Sequence, residues 1–226
     1  MNSIKEQKKK IITIDGPAGA GKTTVSKILA KRLGWIYVDT GALYRGVAFE
    51  VKRTGTDWHN EIELKGMLDR IDLEFTTGGS FSVLLSSGED ISGKIRTPEI
   101  SMLASEVSAE PAVRSALLDI QKNMAAKNNA VFEGRDMGTI VFPGADFKFF
   151  LCADLKIRAL RRYREMGNKD QHRYSVESVE HDMAKRDKHD SVRKLAPLKP
   201  AGDAVVIDST EMTINEVVEK ILSMVR

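Results

Sequence analysis

The octet Gly16-Pro17-Ala18-Gly19-Ala20-Gly21-Lys22-Thr23 stands between an apolar run (Ile11, Ile12, Ile14) and a stretch with Val25, Ile28, Leu29 and Leu33 at helical spacing. A strand that turns through glycines straight into a helix leaves few architectures open. The glycines let consecutive backbone N–H groups converge on an anion, and the helix behind them points its positive end at the same place. The pattern G-x-x-x-x-G-K-[ST] therefore predicts a nucleoside triphosphate site built from Gly16, Pro17, Ala18, Gly19, Ala20, Gly21, Lys22, Thr23 and Thr24. Lys22 reaches the β- and γ-phosphates there, and Thr23 holds Mg²⁺ that arrives with ATP.

The segments that follow extend the same pattern. Trp35-Ile36-Tyr37-Val38 reads as a second strand, and Asp39 or Thr40 caps a helix carrying Leu43, Val47 and Val51. Further apolar runs lie at 130–132, 147–151 and 205–207, and a last helix runs over 213–225 with Ile214, Val217, Val218, Ile221 and Leu222 on one face. This order predicts an α/β protein of the P-loop NTPase fold, with a five-stranded parallel sheet flanked by helices. Between about 71 and 91 the pattern changes to two short strands, 72–75 and 81–85, joined through Gly78 and Gly79. Helices are expected from Pro98 and from Pro111. Residues 156–174 hold many arginines around Gly167 and read as a helix, a mobile tip and a second helix.

Bulk properties exclude several classes. Lys and Arg (35) barely outnumber Asp and Glu (32), a formal charge of +3 that is too small to argue for a nucleic-acid partner. Met1 to Lys10 is a polar lead-in without an apolar core, and no later segment offers eighteen uncharged apolar residues, so neither a leader nor a membrane span is expected. Cys152 is the only cysteine, which removes disulfides and cysteine-based metal sites and fits a cytoplasmic location. His59, His172, His181 and His189 show no metal-ligand spacing.

A phosphate loop alone leaves the reaction open. A GTPase would carry Asn-Lys-x-Asp after a strand, whereas Asn168-Lys169-Asp170 lacks the spacer. An ATPase motor would end a later apolar run in paired acids, and no run here does. Instead Arg45, Arg96, Arg114, Arg135, Arg186 and Arg193 fall near expected element ends, and Arg158, Arg161, Arg162 and Arg164 crowd one segment. Planar guanidinium groups fork onto phosphate oxygens, so this supply suits a reaction that brings two polyanions together.

Five strings carry a closer likeness: Ile14-Asp15-Gly16-Pro17, Asp39-Thr40-Gly41-Ala42-Leu43-Tyr44-Arg45, Gly134-Arg135-Asp136-Met137-Gly138-Thr139, Arg186-Asp187 through Arg193 with Ala196-Pro197-Leu198, and Asp208-Ser209-Thr210. In order and spacing they resemble the bacterial cytidylate kinase family of nucleoside monophosphate kinases. The resemblance implies ATP and CMP or dCMP as substrates, Mg²⁺ bound with ATP, and a monomer. It also implies one P-loop kinase domain, with a core at 10–66 and 106–226, an NMP-binding insertion at about 67–105 and an arginine-rich lid at about 157–173.

By the same resemblance Thr40, Arg45, Arg135 and Arg193 hold the acceptor phosphate, with Tyr44 beside them; Tyr44 taken alone reads as a packing residue. Ser105, Arg114 and Asp136 read cytosine, and Arg186 and Asp190 contact the ribose. Arg161 or Arg162 is the lid arginine that meets the transferred group. The chain departs from the family at Glu133, where Asp is the familiar residue, which leaves a metal role there open. Cytosine presents an exocyclic amino group that a carboxylate accepts from, and uracil presents a carbonyl that it repels, so Asp136 disfavours a uridylate kinase. An adenylate kinase and a nucleotide-dependent RNA-binding regulator stand as the other readings.

Overall fold

The computed structural model describes residues 9–78, 81–166 and 174–225. Strand β1 (Ile11–Asp15) lies between β6 (Ala130–Gly134) and β7 (Phe147–Cys152), with β2 (Ile36–Asp39) outside β6 and β8 (Val205–Asp208) outside β7. Every pair in this five-stranded sheet is parallel, as expected. Parallel neighbours require crossovers, and the helices that make them cover both faces. Ile12, Ile14, Val131, Phe149 and Leu151 pack on one face against α1 (Lys22–Leu33) and α8 (Ile214–Val225) through Val25, Leu29, Val217, Val218 and Ile221. Phe132, Ala130 and Val38 serve the other face, meeting Ala125, Met137 and Phe142. The strict alternation along β6 is the two-residue period of a strand buried on both sides.

The remaining elements form a second body of packing. α2 (Thr40–Thr54) starts at an Asp39 cap whose carboxylate accepts from the Ala42 N–H at 3.0 Å, and stops at left-handed Gly55. Its apolar stripe, Leu43, Val47, Ala48 and Val51, joins a cluster with α3 (Glu61–Leu68), α4 (Pro98–Val107) and α5 (Pro111–Lys127). The antiparallel hairpin of β3 (Leu73–Gly78) and β4 (Phe81–Ser86) contributes Leu73 and Leu84 to that cluster and shares no ladder with the main sheet. The hairpin agrees with the two short strands expected at 72–75 and 81–85, the first running on to Gly78. The two-residue strand β5 (Glu89–Asp90) and helix α3 have no counterpart in the sequence reading.

Helices α6 (Leu155–Glu165) and α7 (Val176–Val192) bracket the arginine-rich segment. The tip expected around Gly167, the Asn168-Lys169-Asp170 string and His172 lie outside the described residues, as do most of the N-terminal lead-in and Gly79 and Ser80 of the hairpin connection. No described helix is long and apolar enough to cross a membrane. Register aligns Asp15 with Gly134 and Asp39 with Glu133, so the loops after β1, β2 and β6 leave the sheet along one edge. That carboxyl edge is where open α/β sheets form their binding crevices.

Candidate active site

Gly16 begins the phosphate loop at φ +142°, and a Cβ there would lie 1.9 Å from the Leu151 carbonyl oxygen, so only glycine lets the loop leave β1 this close to β7. The loop's carbonyls are occupied from outside. Pro17 O accepts from Lys22 Nζ at 2.7 Å, Ala18 O from Arg158 Nη1 at 3.2 Å, and Ala20 O from the Ser209 hydroxyl at 3.2 Å. This orientation leaves the N–H groups for an anion. Arg158 also donates to Ala153 O at 2.9 Å and to Asp187 at 2.6 Å, fastening the loop to the end of β7 and to α7. Burial, and then the nearby Arg135 and Arg186, pull Lys22 down to about 7 against the opposing charges of Glu133 and Asp15. An ammonium this poorly solvated and this close to guanidinium groups is a group in need of an anionic partner.

Asp15, at the end of β1, accepts from the N–H groups of Met137 and Gly138 at 2.9 and 2.8 Å. It thereby ties the start of the phosphate loop to a π-helical turn over Met137–Val141, which follows Arg135 and Asp136. Burial lifts Asp15 from 3.8 to about 6, although both amide bonds pull the other way. The folded state therefore binds more protons than the unfolded chain between about pH 4 and 6, and this group's stabilising contribution is lost as pH rises through that window. The stability difference between wild type and Asp15→Asn is expected to shift against wild type by on the order of 2–3 kcal/mol from pH 4 to pH 6.5. Urea unfolding of both proteins at the two pH values checks it, and a pH-independent difference would contradict it.

On the metal side of the loop, Thr23 Oγ1 donates to Glu133 Oε1 at 2.6 Å. Tyr37 donates to Glu133 Oε2 at 2.7 Å. The described residues contain no cluster of three or more His, Cys, Asp or Glu suited to holding a metal by itself. A hydroxyl backed by a carboxylate is instead a hard oxygen donor set that fits Mg²⁺ delivered with phosphate oxygens. Glu133 thus sits where the sequence left its role open, and its side chain reaches the phosphate loop.

Across the crevice, the backbone carbonyl of Glu133 accepts from Thr40 Oγ1 at 2.6 Å. Arg45, one turn into α2, pairs with Asp39 at 3.0 Å and keeps a buried Nε without a hydrogen-bond partner. Arg135 donates through Nε to Asp190 at 3.4 Å. Arg193 donates to Ala196 O at 2.7 Å and to Ser108 Oγ at 3.1 Å, and its Nη1 is 3.9 Å from Asp190. Arg186 has a buried, unpartnered Nε, and burial, then Arg135, hold it at about 10. Buried arginines grouped this closely, two of them with an unused Nε–H, are arranged for a polyanion.

Next to them Arg114 pairs with Asp136 through Nη2, donates to Ser108 O at 3.1 Å, and lies 5.7 Å over the Tyr44 ring. Burial raises Tyr44 to about 12 and raises Asp136, the latter opposed by Arg114. Ser105 stands slightly apart. Its hydroxyl is 3.3 Å from His189 Nδ1 and 3.4 Å from Asp190, so it joins the end of α7 and makes no bond to Arg114 or Asp136. Arg161 donates to Ser209 Oγ and O at 3.2 and 2.7 Å, and Arg162 pairs with Glu165 at 3.5 Å on the helix surface. Neither of them bonds to the phosphate loop or to the acceptor-side arginines. Ser108, which links Arg114 and Arg193, was not a candidate from sequence; its role comes from its carbonyl as much as its hydroxyl, which residue type does not signal.

A parallel sheet whose carboxyl edge carries a glycine-built phosphate loop beside a second cluster of buried arginines defines a P-loop protein suited to two phosphorylated ligands. The cytidylate kinase family profile matches residues 12–226. The cytidylate kinase of Geobacter sulfurreducens is 45% identical over 216 residues, covering 96% of this chain and 92% of the relative. That of Pseudomonas fluorescens strain Pf0-1 is 46% identical over 215 residues, covering 94% of this chain and 93% of the relative. The chain belongs to the cytidylate kinase family.

Proposed function

We propose that the protein transfers the γ-phosphoryl group of ATP in line to the phosphate of CMP and dCMP, giving CDP and dCDP, as a cytoplasmic monomer. The observation that carries this reading is the pair of neighbouring cationic groups at the carboxyl edge of the sheet, one at Lys22 and one at Arg45, Arg135, Arg186 and Arg193, linked through Glu133 and its bonds to Thr23 and Thr40. We assign residues 16–24 to ATP; Thr40, Tyr44, Arg45, Arg135 and Arg193 to the acceptor phosphate; Ser105, Arg114 and Asp136 to cytosine; and Arg186 and Asp190 to the ribose. The separate hairpin sheet supports reading about 67–105 as an acceptor-binding insertion on a core of 10–66 and 106–226, and the family resemblance assigns a lid to about 157–173, of which 157–166 are described.

The acceptor phosphate is already largely ionised near neutral pH, so the residues position it and stabilise charge without a strong general base. Lys22 and the loop N–H groups stabilise the triphosphate, and the acceptor arginines hold the nucleophilic oxygen opposite it. Thr23 would hold Mg²⁺ with Glu133 behind it; the bound ion supplies charge neutralisation across the β- and γ-phosphates. For Arg161 or Arg162 to reach the transferred group its side chain must leave its present partner, Ser209 for Arg161 and Glu165 for Arg162. Closure of the lid segment would exclude water, the competing acceptor.

The test is ADP formation from ATP and Mg²⁺ with CMP, dCMP, UMP, AMP or no acceptor. Turnover confined to CMP and dCMP is expected. Equal ADP formation without acceptor, or turnover with AMP or UMP alone, would remove the cytidylate reading.

A further inference from the structure

We propose that Tyr37 is a positioning residue that sets the Mg²⁺ dependence of nucleotide binding by locking the Glu133 carboxylate behind Thr23. The inference rests on the assignment of the phosphate loop to a nucleotide and concerns a side chain that lies outside both cationic groups. Tyr37 stands in the middle of β2, and β2 pairs with β6 in a register that sets Tyr37 opposite Val131, two residues before Glu133. From there its hydroxyl donates to Glu133 Oε2 at 2.7 Å while Thr23 donates to Oε1 at 2.6 Å, so both carboxylate oxygens are engaged. Glu133 is 8% exposed, and Lys27 Nζ lies 5.6 Å over the Tyr37 ring from α1, the helix whose first turn carries Thr23.

Two consequences follow from the geometry. First, a glutamate is one methylene longer than the aspartate familiar at this place, and without a second anchor its carboxylate could turn to Lys22, one of the opposite charges around it. Tyr37 removes that freedom. Second, with Oε1 held as acceptor, the Thr23 hydroxyl proton is committed to Glu133, and the Thr23 lone pairs are left for a cation. A donor set oriented this way would hold Mg²⁺ through Thr23 with Glu133 behind it, and would lose that preference when the outer anchor is removed.

The experiment uses the full chain and calorimetric binding of ADP with and without Mg²⁺, for wild type, Tyr37→Phe, Glu133→Gln and the double variant. Tyr37→Phe is expected to reduce the affinity gain from Mg²⁺ by about 10-fold while leaving Mg²⁺-free ADP affinity unchanged. Because Tyr37 acts through Glu133, adding Tyr37→Phe to Glu133→Gln should change the Mg²⁺ gain no further. A Mg²⁺ gain equal to wild type in Tyr37→Phe, equal losses with and without Mg²⁺, or full additivity in the double variant would each overturn the proposal. If Tyr37→Phe fails to fold, a wild-type Mg²⁺ gain in Glu133→Gln overturns it equally. Wild-type protein that binds no ADP would instead remove the nucleotide assignment itself.

Discussion

Lys22→Ala is expected to fold with wild-type stability or better and to turn over about 10³-fold more slowly. The stability half of this expectation follows from how the ammonium is held. It is 5% exposed and its one hydrogen bond goes to Pro17 O; burial and two guanidinium groups already disfavour its charge. Removing it relieves that cost, which offsets the loss of its single hydrogen bond to Pro17 O. The catalytic half follows from the same facts read with the triphosphate present. Lys22 is the one side-chain cation that the loop itself carries; Arg158 is spent on Ala18 O, Ala153 O and Asp187, and Arg135, Arg193 and Arg45 are tied to Asp190, Ser108 and Asp39. Without Lys22, charge that develops on the transferring group would lose the loop's own cation. Steady-state kinetics with ATP and CMP, alongside thermal unfolding, separates the two halves. A variant that loses stability in proportion to activity would show Lys22 to be part of the scaffold.

Much of this site was legible in the sequence because its strongest signals are local. Phosphate-loop glycines need particular backbone conformations, so Gly16, Gly19 and Gly21 announce themselves, and all three have positive φ. Asp39 is a cap one residue before a helix, a relation that sequence distance preserves. What could not be read depends on contacts between distant segments. Arg158 is one arginine among several in its segment, and only the fold brings it to Ala18 and Asp187. Arg161 and Arg162 read alike in sequence, yet one is bound to the loop after β8 and the other lies on the helix surface. Helix α3 was within reach: Asn60 accepts from the N–H groups of Ile62 and Glu63, and Leu64, Met67 and Leu68 follow at helical spacing. Its eight residues are short enough for the polar flanks to mask that pattern. The π-helical turn at Met137–Val141 has no sequence rule behind it; Asp15, placed on it by the register of β1 and β6, holds its first two N–H groups.

Asp136→Asn should lower the ratio of kcat/KM for CMP over UMP by about 10²-fold or more, with most of the change in the CMP arm. Asp136 is 2% exposed and paired with Arg114, whose side chain is 13% exposed, so the two form one buried donor and acceptor unit. Replacement by Ala would strand the guanidinium and cost about 3–5 kcal/mol of stability, which confounds any reading of selectivity. Asn keeps the volume and one acceptor for Arg114 while putting an amide N–H₂ where the second carboxylate oxygen stood. Facing cytosine, that group meets the exocyclic amino group, donor against donor, and a buried unmet donor costs about 1–3 kcal/mol. Facing uracil, it meets a carbonyl and makes a hydrogen bond that the carboxylate forbids. Both terms move the ratio the same way, and neither needs a change in the phosphate sites. KM for ATP and turnover at saturating CMP should therefore change less than the acceptor ratio. An unchanged CMP to UMP ratio in a folded Asp136→Asn protein would place base recognition elsewhere, with Ser105 and its contacts to His189 and Asp190 the next residues to substitute.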